Sequence, residues 1–224
     1  MKISAIIAVY NGAERLREAI ASIQAQDFAP FEIIVVDDGS TDATPDVIAS
    51  YGTAVRALRQ EHAGLSAAHN LALRHVQGEA VAFLDHDDLW PPHSLASMAK
   101  LLQSDPAIDI VSGQVEMRYE RSAPPSEEMR RCLVTTNRPF MMHSLLIRRQ
   151  VFDRIGKFDE QLTHAMDVDW YMRARDLGVR FGFIPDVTMI YRMHETNMTR
   201  DVFATTQGMM AAFKKSLDRR RLAR

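Results

Sequence analysis

The stretch Ala80-Val81-Ala82-Phe83-Leu84-Asp85-His86-Asp87-Asp88-Leu89-Trp90 joins an apolar run to three carboxylates within four residues and then to an aromatic ring. A short, continuous apolar run suits a strand buried on both faces, as in parallel sheets covered by helices. Open α/β sheets bind ligands outside the carboxyl ends of their strands. Acids crowded at such an end repel one another unless a cation sits among them. Oxygen-only ligands suit Mg²⁺ or Mn²⁺, which in turn hold phosphate oxygens. The stretch therefore predicts an α/β fold with a metal-bound phosphate at the strand end.

The chain on either side agrees with that reading. Residues 3–9, 32–36, 55–59 and 108–115 read as further strands, and 14–26, 66–76 and 92–103 as helices. A short helix follows Ser40-Thr41-Asp42, with Thr41 or Asp42 as cap and Pro45 in its first turn. This β-α-β-α order implies a mostly parallel sheet with helices on both faces. Beyond Glu116 the pattern changes. Residues 119–129, with Pro124-Pro125, read as a connector, and 143–147 as a strand. A short helix over 149–155 and a longer one over 166–177 are each stopped by glycine, at Gly156 and Gly178. Strands over 180–184 and 187–191 follow. One catalytic domain over 1–200 is expected, divided near residue 116 into two halves, the second folding back across the mouth of the sheet, with a basic helical extension over 201–224.

Composition excludes several classes. The 224 residues are 46% hydrophobic and 25% charged, with net charge −2, so nothing global points to nucleic acid. Cys132 is alone, which rules out an internal disulfide framework and a cysteine-based zinc site. No apolar segment approaches the roughly 20 residues of a membrane span. Met1-Lys2-Ile3-Ser4 does not open a signal peptide, so a cytoplasmic protein is expected. There is no G-x-G-x-x-G after the first strand, no G-x-x-x-x-G-K-[ST] loop and no G-x-S-x-G elbow.

Several constellations gather at the predicted sheet edge. Asp85 and Asp87 fall on one side of an extended segment, roughly 6–7 Å apart. One divalent cation could bridge them; a polar turn capping the helix after Pro91-Pro92 is the plainer alternative. Asp37-Asp38-Gly39 closes the second strand, where a carboxylate can accept a base imide or ribose hydroxyl, or simply belong to a loop and cap. Tyr10 closes the first strand and offers a face on which a nucleobase could stack. Asp167 opens the late helix, and Asp169 stands four residues before Arg173, the spacing of a helix ion pair. His194 ends the last strand beside Arg192. Trp90, His143 and Trp170 stand near the presumed cleft, where a second substrate would enter.

In this order and spacing the motifs are specific. The chain resembles the family 2 glycosyltransferases from Ile3 to about Thr199, through Ala8-Val9-Tyr10-Asn11, Val36-Asp37-Asp38-Gly39-Ser40, Gly64-Leu65-Ser66-Ala67-Ala68-His69-Asn70, Phe83-Leu84-Asp85-His86-Asp87-Asp88, Gly156-Lys157-Phe158-Asp159-Glu160, Asp167 through Arg173, and Tyr191-Arg192-Met193-His194. The resemblance implies a GT-A fold and inverting transfer from a nucleotide-diphospho-sugar, with a UDP- or TDP-sugar expected and a cell-surface glycan or lipid-linked glycan as acceptor. It also implies residue roles. Tyr10, Asp37 and Asp38 look like the base pocket. His69 stands where many members carry an arginine that contacts the base. Asp85 and Asp87 look like the D-x-D pair, Asp85 also reaching the ribose, with Asp88 as the supporting acid. Asp167 matches the catalytic base, and His194 the histidine that completes the metal or diphosphate site in some members. Ala8, Lys157 and Met166 are further departures from the usual pattern.

Two rival readings share some of these residues. A non-catalytic nucleotide-sugar binding module would keep Tyr10, Asp38 and the acids but need no base. A nucleotidyltransferase should show a glycine-rich basic loop near the N-terminus, where Ala8 to Leu16 offers only Gly12 and Arg15. In the tail, Phe203, Met210, Phe213 and Leu217 share one helical face while Lys214, Lys215, Arg219, Arg220, Arg221 and Arg224 crowd its end. Such a helix either packs on its own domain or lies on an anionic membrane as a peripheral contact.

Overall fold

Strand β1 (Ile3–Val9) is buried at every position and divides the core by its period of two. Ile3, Ala5, Ile7 and Val9 join helices α1 (Ala13–Gln24), α2 (Thr44–Ala49) and α4 (Ser94–Ser104) on one face. Ile6 and Ala8 join α3 (Leu65–Leu73), α5 (Gln150–Ile155) and α6 (Met166–Asp176) on the other. Both layers expected from the sequence are present. The computed structural model describes residues 1–120 and 141–222. Most of the connector expected over 119–129, and Arg224 of the tail, lie outside the described residues.

Among the described residues the sheet has seven strands in the order β3-β2-β1-β4-β6-β5-β7. The pairs among β1, β2 (Glu32–Asp37), β3 (Arg56–Arg59) and β4 (Ala80–Asp85) are parallel. Strand β6 (Leu145–Arg148) runs against its neighbours, β4 and β5 (Ile110–Tyr119). The carboxyl ends of β1, β2 and β4 thus meet at one edge, bringing Tyr10, Asp38 and Asp85 to the same side.

One expectation is corrected here. The two late strands are one, β7 (Phe181–Met193), which pairs with β5 through shifts in register between Ser112 and Val115. Pro185 does not break it, because β7 lies at the sheet's edge and the missing ladder bond falls at the irregularity. At that point Gly113 faces Thr188 so closely that a Cβ would lie 2.2 Å from its methyl. The added pairing carries β5 on to Tyr119, beyond the expected end at 115.

The tail takes the packed alternative. Helix α7 (Val202–Leu222) packs on α6, but with its charged side inward. Lys215 pairs with Asp159, Arg219 with Asp169 at 2.8 Å and Arg220 with Asp176 at 2.7 Å, around buried Ala212 and Ser216. Gly208 lies against His164, where a Cβ would meet its Cβ at 2.7 Å. Phe203, Met210, Phe213 and Leu217 all face solvent. The hydrophobic stripe is therefore on the outside. No helix among the described residues is long and apolar enough to cross a membrane.

Candidate active site

The acidic segment is held by β7. Leu89 exchanges both backbone hydrogen bonds with Ile190, at 3.1 and 2.8 Å. Arg192 N donates to the carboxylate of buried Asp88 at 2.8 Å. This docking brings the end of β7 to Asp87, whose Oδ2 lies 2.9 Å from His194 Nε2. Thr196 and Asn197 contact the same imidazole at 2.9 and 3.2 Å and fix its orientation. The Arg192 guanidinium is committed to the Asp87 carbonyl and to Glu18.

Carboxylate oxygens of Asp85, Asp87 and Asp88 come within 4.8 Å of one another. Their ionisation is divided by surroundings. Burial raises the Asp88 carboxyl well above its ordinary range, and the charges of Asp85 and Asp87 add to that. Burial also opposes ionisation of Asp87, but its bond to His194 and the nearby His86 outweigh it and lower its pKa. Asp85 faces a different imidazole: His143 Nε2 lies 3.1 Å from Asp85 Oδ1, as an ion pair rather than an aligned hydrogen bond. Burial alone would lower the His143 imidazolium; Asp85, Asp88 and Asp167 outweigh it and raise it to about 9.

Asp167 is close enough to feel that imidazole's charge. It lies in the first turn of α6, half-buried, with Oδ1 accepting from Val168 N at 2.9 Å. Ala165, just before the helix, is in the left-handed region with φ 57°, an uncommon place for a residue with a Cβ. Burial raises the Asp167 carboxyl, and His143 pulls it partly back. The sequence left open whether a helix start or burial would prevail; burial does.

The other end of the cleft is built on β1, β2 and β3. Asn11, at φ 50°, accepts from Thr41 N through its side chain at 2.8 Å and ties the two loops together. Asp37 caps its own turn by accepting from Ser40 N at 2.8 Å and pairs with Arg59 at 3.0 Å. Asp38 is buried, and its carboxylate accepts from Gln60 Nε2, Ala63 N and Gly64 N at 2.7, 2.9 and 2.8 Å. Tyr10 is 42% exposed and stacks on His62, with ring centroids 3.9 Å apart. The sequence reading missed His62 and Gln60. Their signal was position alone, at the carboxyl end of β3 and so at the same sheet edge.

Four candidates, His69, Trp90, Trp170 and Asp169, are packed away from the cleft surface. His69 is fully buried among Phe83, Phe158 and His143, with neither ring nitrogen bonded to a partner. Burial, and then His143, hold it neutral. A nucleotide cannot touch it without repacking α3 against the sheet. Trp90 is buried and donates to the His143 carbonyl at 3.3 Å, and Trp170 is buried and donates to the Gly156 carbonyl at 3.1 Å. Neither indole offers a free face to an acceptor sugar. Asp169, also buried, takes the ion-pair reading, with Arg173 at 2.9 Å and Arg219 at 2.8 Å.

The acidic donors fit a hard divalent cation. Asp85 and Asp87 remain partly open, and Asp88 Oδ2 is a buried oxygen without a hydrogen-bond partner. An all-carboxylate set suits Mg²⁺ or Mn²⁺, and an imidazole at hand, His194, suits Mn²⁺ better.

Known proteins carry the same frame. The chain is 31% identical over 236 aligned residues to an uncharacterised glycosyltransferase of Rickettsia typhi, covering 98% of this chain and 74% of that one. The mannosyltransferase PcManGT of Pyrobaculum calidifontis, solved with GDP-Man and Mn²⁺, superposes with a TM-score of 0.77 at 25% identity, over 97% of this chain and 64% of that one. Residues 1–349 of S. aureus TarS, solved with UDP-GlcNAc, superpose with a TM-score of 0.71 at 23% identity, over 90% of this chain and 61% of that one. The chain thus spans less than two thirds of either solved chain. Residues 4–221 match the family model "Glycosyl transferase family 2", and with the α/β frame and its acidic edge this makes the chain a member of that family.

Proposed function

We propose that the protein moves a sugar from a nucleotide-diphospho-sugar to an acceptor hydroxyl by one in-line displacement with inversion. The observation that carries this reading is a metal-fitting carboxylate, Asp85, 3.1 Å from the His143 imidazole, whose charge also acts on the base candidate Asp167. Asp85 and Asp87, with His194 beside them, would hold a divalent cation. Bound there, Mg²⁺ or Mn²⁺ supplies Lewis-acid neutralisation of the leaving nucleoside diphosphate. Tyr10 and Asp38 hold the base, a uracil or thymine in this reading. Asp167 takes the acceptor proton as the hydroxyl attacks the anomeric carbon, and its raised pKa makes it a better base than an ordinary carboxylate. No residue needs to form a covalent intermediate.

Release of a nucleoside diphosphate from UDP- or TDP-sugars tests the reading. Pyrophosphate release would mark a nucleotidyltransferase instead, and binding without turnover a donor-binding module. The PcManGT and TarS structures contain GDP-Man and UDP-GlcNAc, so both bases belong in the panel.

The acceptor in this reading is a glycan carried on or near a membrane. Support comes from α7, whose Phe203, Met210, Phe213 and Leu217 are exposed beside Lys214 and Arg221. Apolar side chains rimmed by cations suit the interface of an anionic bilayer. Co-sedimentation with phosphatidylglycerol vesicles checks it. Phe203→Ser with Phe213→Ser should lose the vesicles while keeping the fold, and equal pelleting would end the idea.

A further inference from the structure

Resting on the base-pocket reading above, we propose that His62 is a built-in placeholder for the nucleobase, stacked on Tyr10 and bonded to Asp38 until a donor displaces it. The imidazole lies 3.9 Å from the Tyr10 ring, with the planes 27° apart. Its Nδ1 is 3.0 Å from Asp38 Oδ2 and 3.1 Å from the Asp38 carbonyl. A flat ring stacked on Tyr10, with a ring nitrogen on Asp38, is what a bound base would present. His62 makes both contacts with the chain's own atoms.

Asp38 has no acceptor site to spare. An ionised carboxylate offers about four lone-pair positions. On Oδ1, Gln60 Nε2 and Ala63 N fill two, and on Oδ2 Gly64 N fills a third, while the His62 ring, 3.0 Å away and hydrogen-bonded to the Asp38 carbonyl, covers the fourth. An incoming base N–H therefore needs one partner to leave. The two backbone partners cannot, because they hold the loop to β2. That loop is also tightly seated: a Cβ on Gly39, at φ +80°, would lie 2.7 Å from His62 N. Of the two side chains, His62 alone also covers Tyr10, and its ring is 54% exposed. Rotation of that side chain, with the backbone still, opens both contacts at once.

The consequence is quantitative. A site competent for only part of the time binds with its affinity reduced by that fraction. If His62 is stacked nine tenths of the time, His62→Ala should bind UDP or GDP about tenfold more tightly. Pyrophosphate, which lacks a base, should bind both proteins equally. In the free wild-type protein the His62 ring protons should show the upfield NMR shift of a ring stacked on tyrosine, and UDP or GDP with Mg²⁺ should remove it. Weaker or unchanged nucleotide binding by His62→Ala, or an unshifted ring in the free protein, overturns the placeholder. Tyr10→Ala separates the two levels. If it leaves nucleotide affinity untouched, or if neither nucleotide binds any of these proteins, the base pocket itself is wrong and the placeholder falls with it.

Discussion

His143 Nε2 lies 3.1 Å from Asp85 Oδ1, and the same imidazole lowers the pKa of Asp167. One buried cation thus serves a carboxylate from the end of β4 and another from the start of α6. It offsets the repulsion expected among acids at the sheet edge and limits the rise that burial imposes on the Asp167 pKa.

Transfer should therefore depend on pH through Asp167. Its pKa is raised above the ordinary carboxyl value, so activity rises with pH through that elevated pKa. The imidazolium pulls the value down, so His143→Gln should move the acidic limb of kcat/KM to higher pH, with the largest loss of rate at low pH. A pH profile of each protein checks this. Superimposed acidic limbs would mean that His143 does not act on the base.

Asp167→Asn removes the proton acceptor and leaves the donor side intact. A fall in kcat of about a hundred- to ten-thousand-fold is expected, with nucleotide affinity nearly unchanged. Wild-type turnover would reject the base assignment.

Asp87→Asn, by contrast, should weaken Mn²⁺-dependent nucleotide binding itself, and His194→Ala should do so to a lesser degree. EDTA should abolish the wild-type thermal shift produced by the nucleotide. Equal shifts with Mn²⁺ and with EDTA would argue against a metal at these acids.

His69 is a buried imidazole with two unbonded nitrogens, an arrangement that costs stability. His69→Leu should raise stability by about 1 kcal/mol, read as a higher Tm, and leave nucleotide binding intact. A large loss of nucleotide affinity without a loss of Tm would restore His69 to the site.

Asp169 is buried between Arg173 and Arg219 and joins α6 to α7. Removing one member of such a group leaves charge uncompensated. Asp169→Ala should cost about 3 kcal/mol and expose α7 to protease. An unchanged denaturation midpoint would show that the tail is held by other contacts.

Much of the frame was legible because it is local. The lengths and periods of apolar runs mark β1, β2 and β4 almost to the residue, and their order places Tyr10, Asp38 and Asp85 at one edge. Acids at strand ends follow from the same reading. Tertiary structure alone decided how those groups are used. His194 meets Asp87 across 107 positions of sequence, because Leu89 pairs with Ile190 and draws β7 onto the acidic loop. Trp90, Trp170 and His69 stand near the cleft in sequence, yet packing turns them into the core. The stripe of α7 faces outward because its cations find Asp159, Asp169 and Asp176 on the domain. Periodicity specifies which side chains share a face, but the charge and shape of a distant partner decide which face is buried.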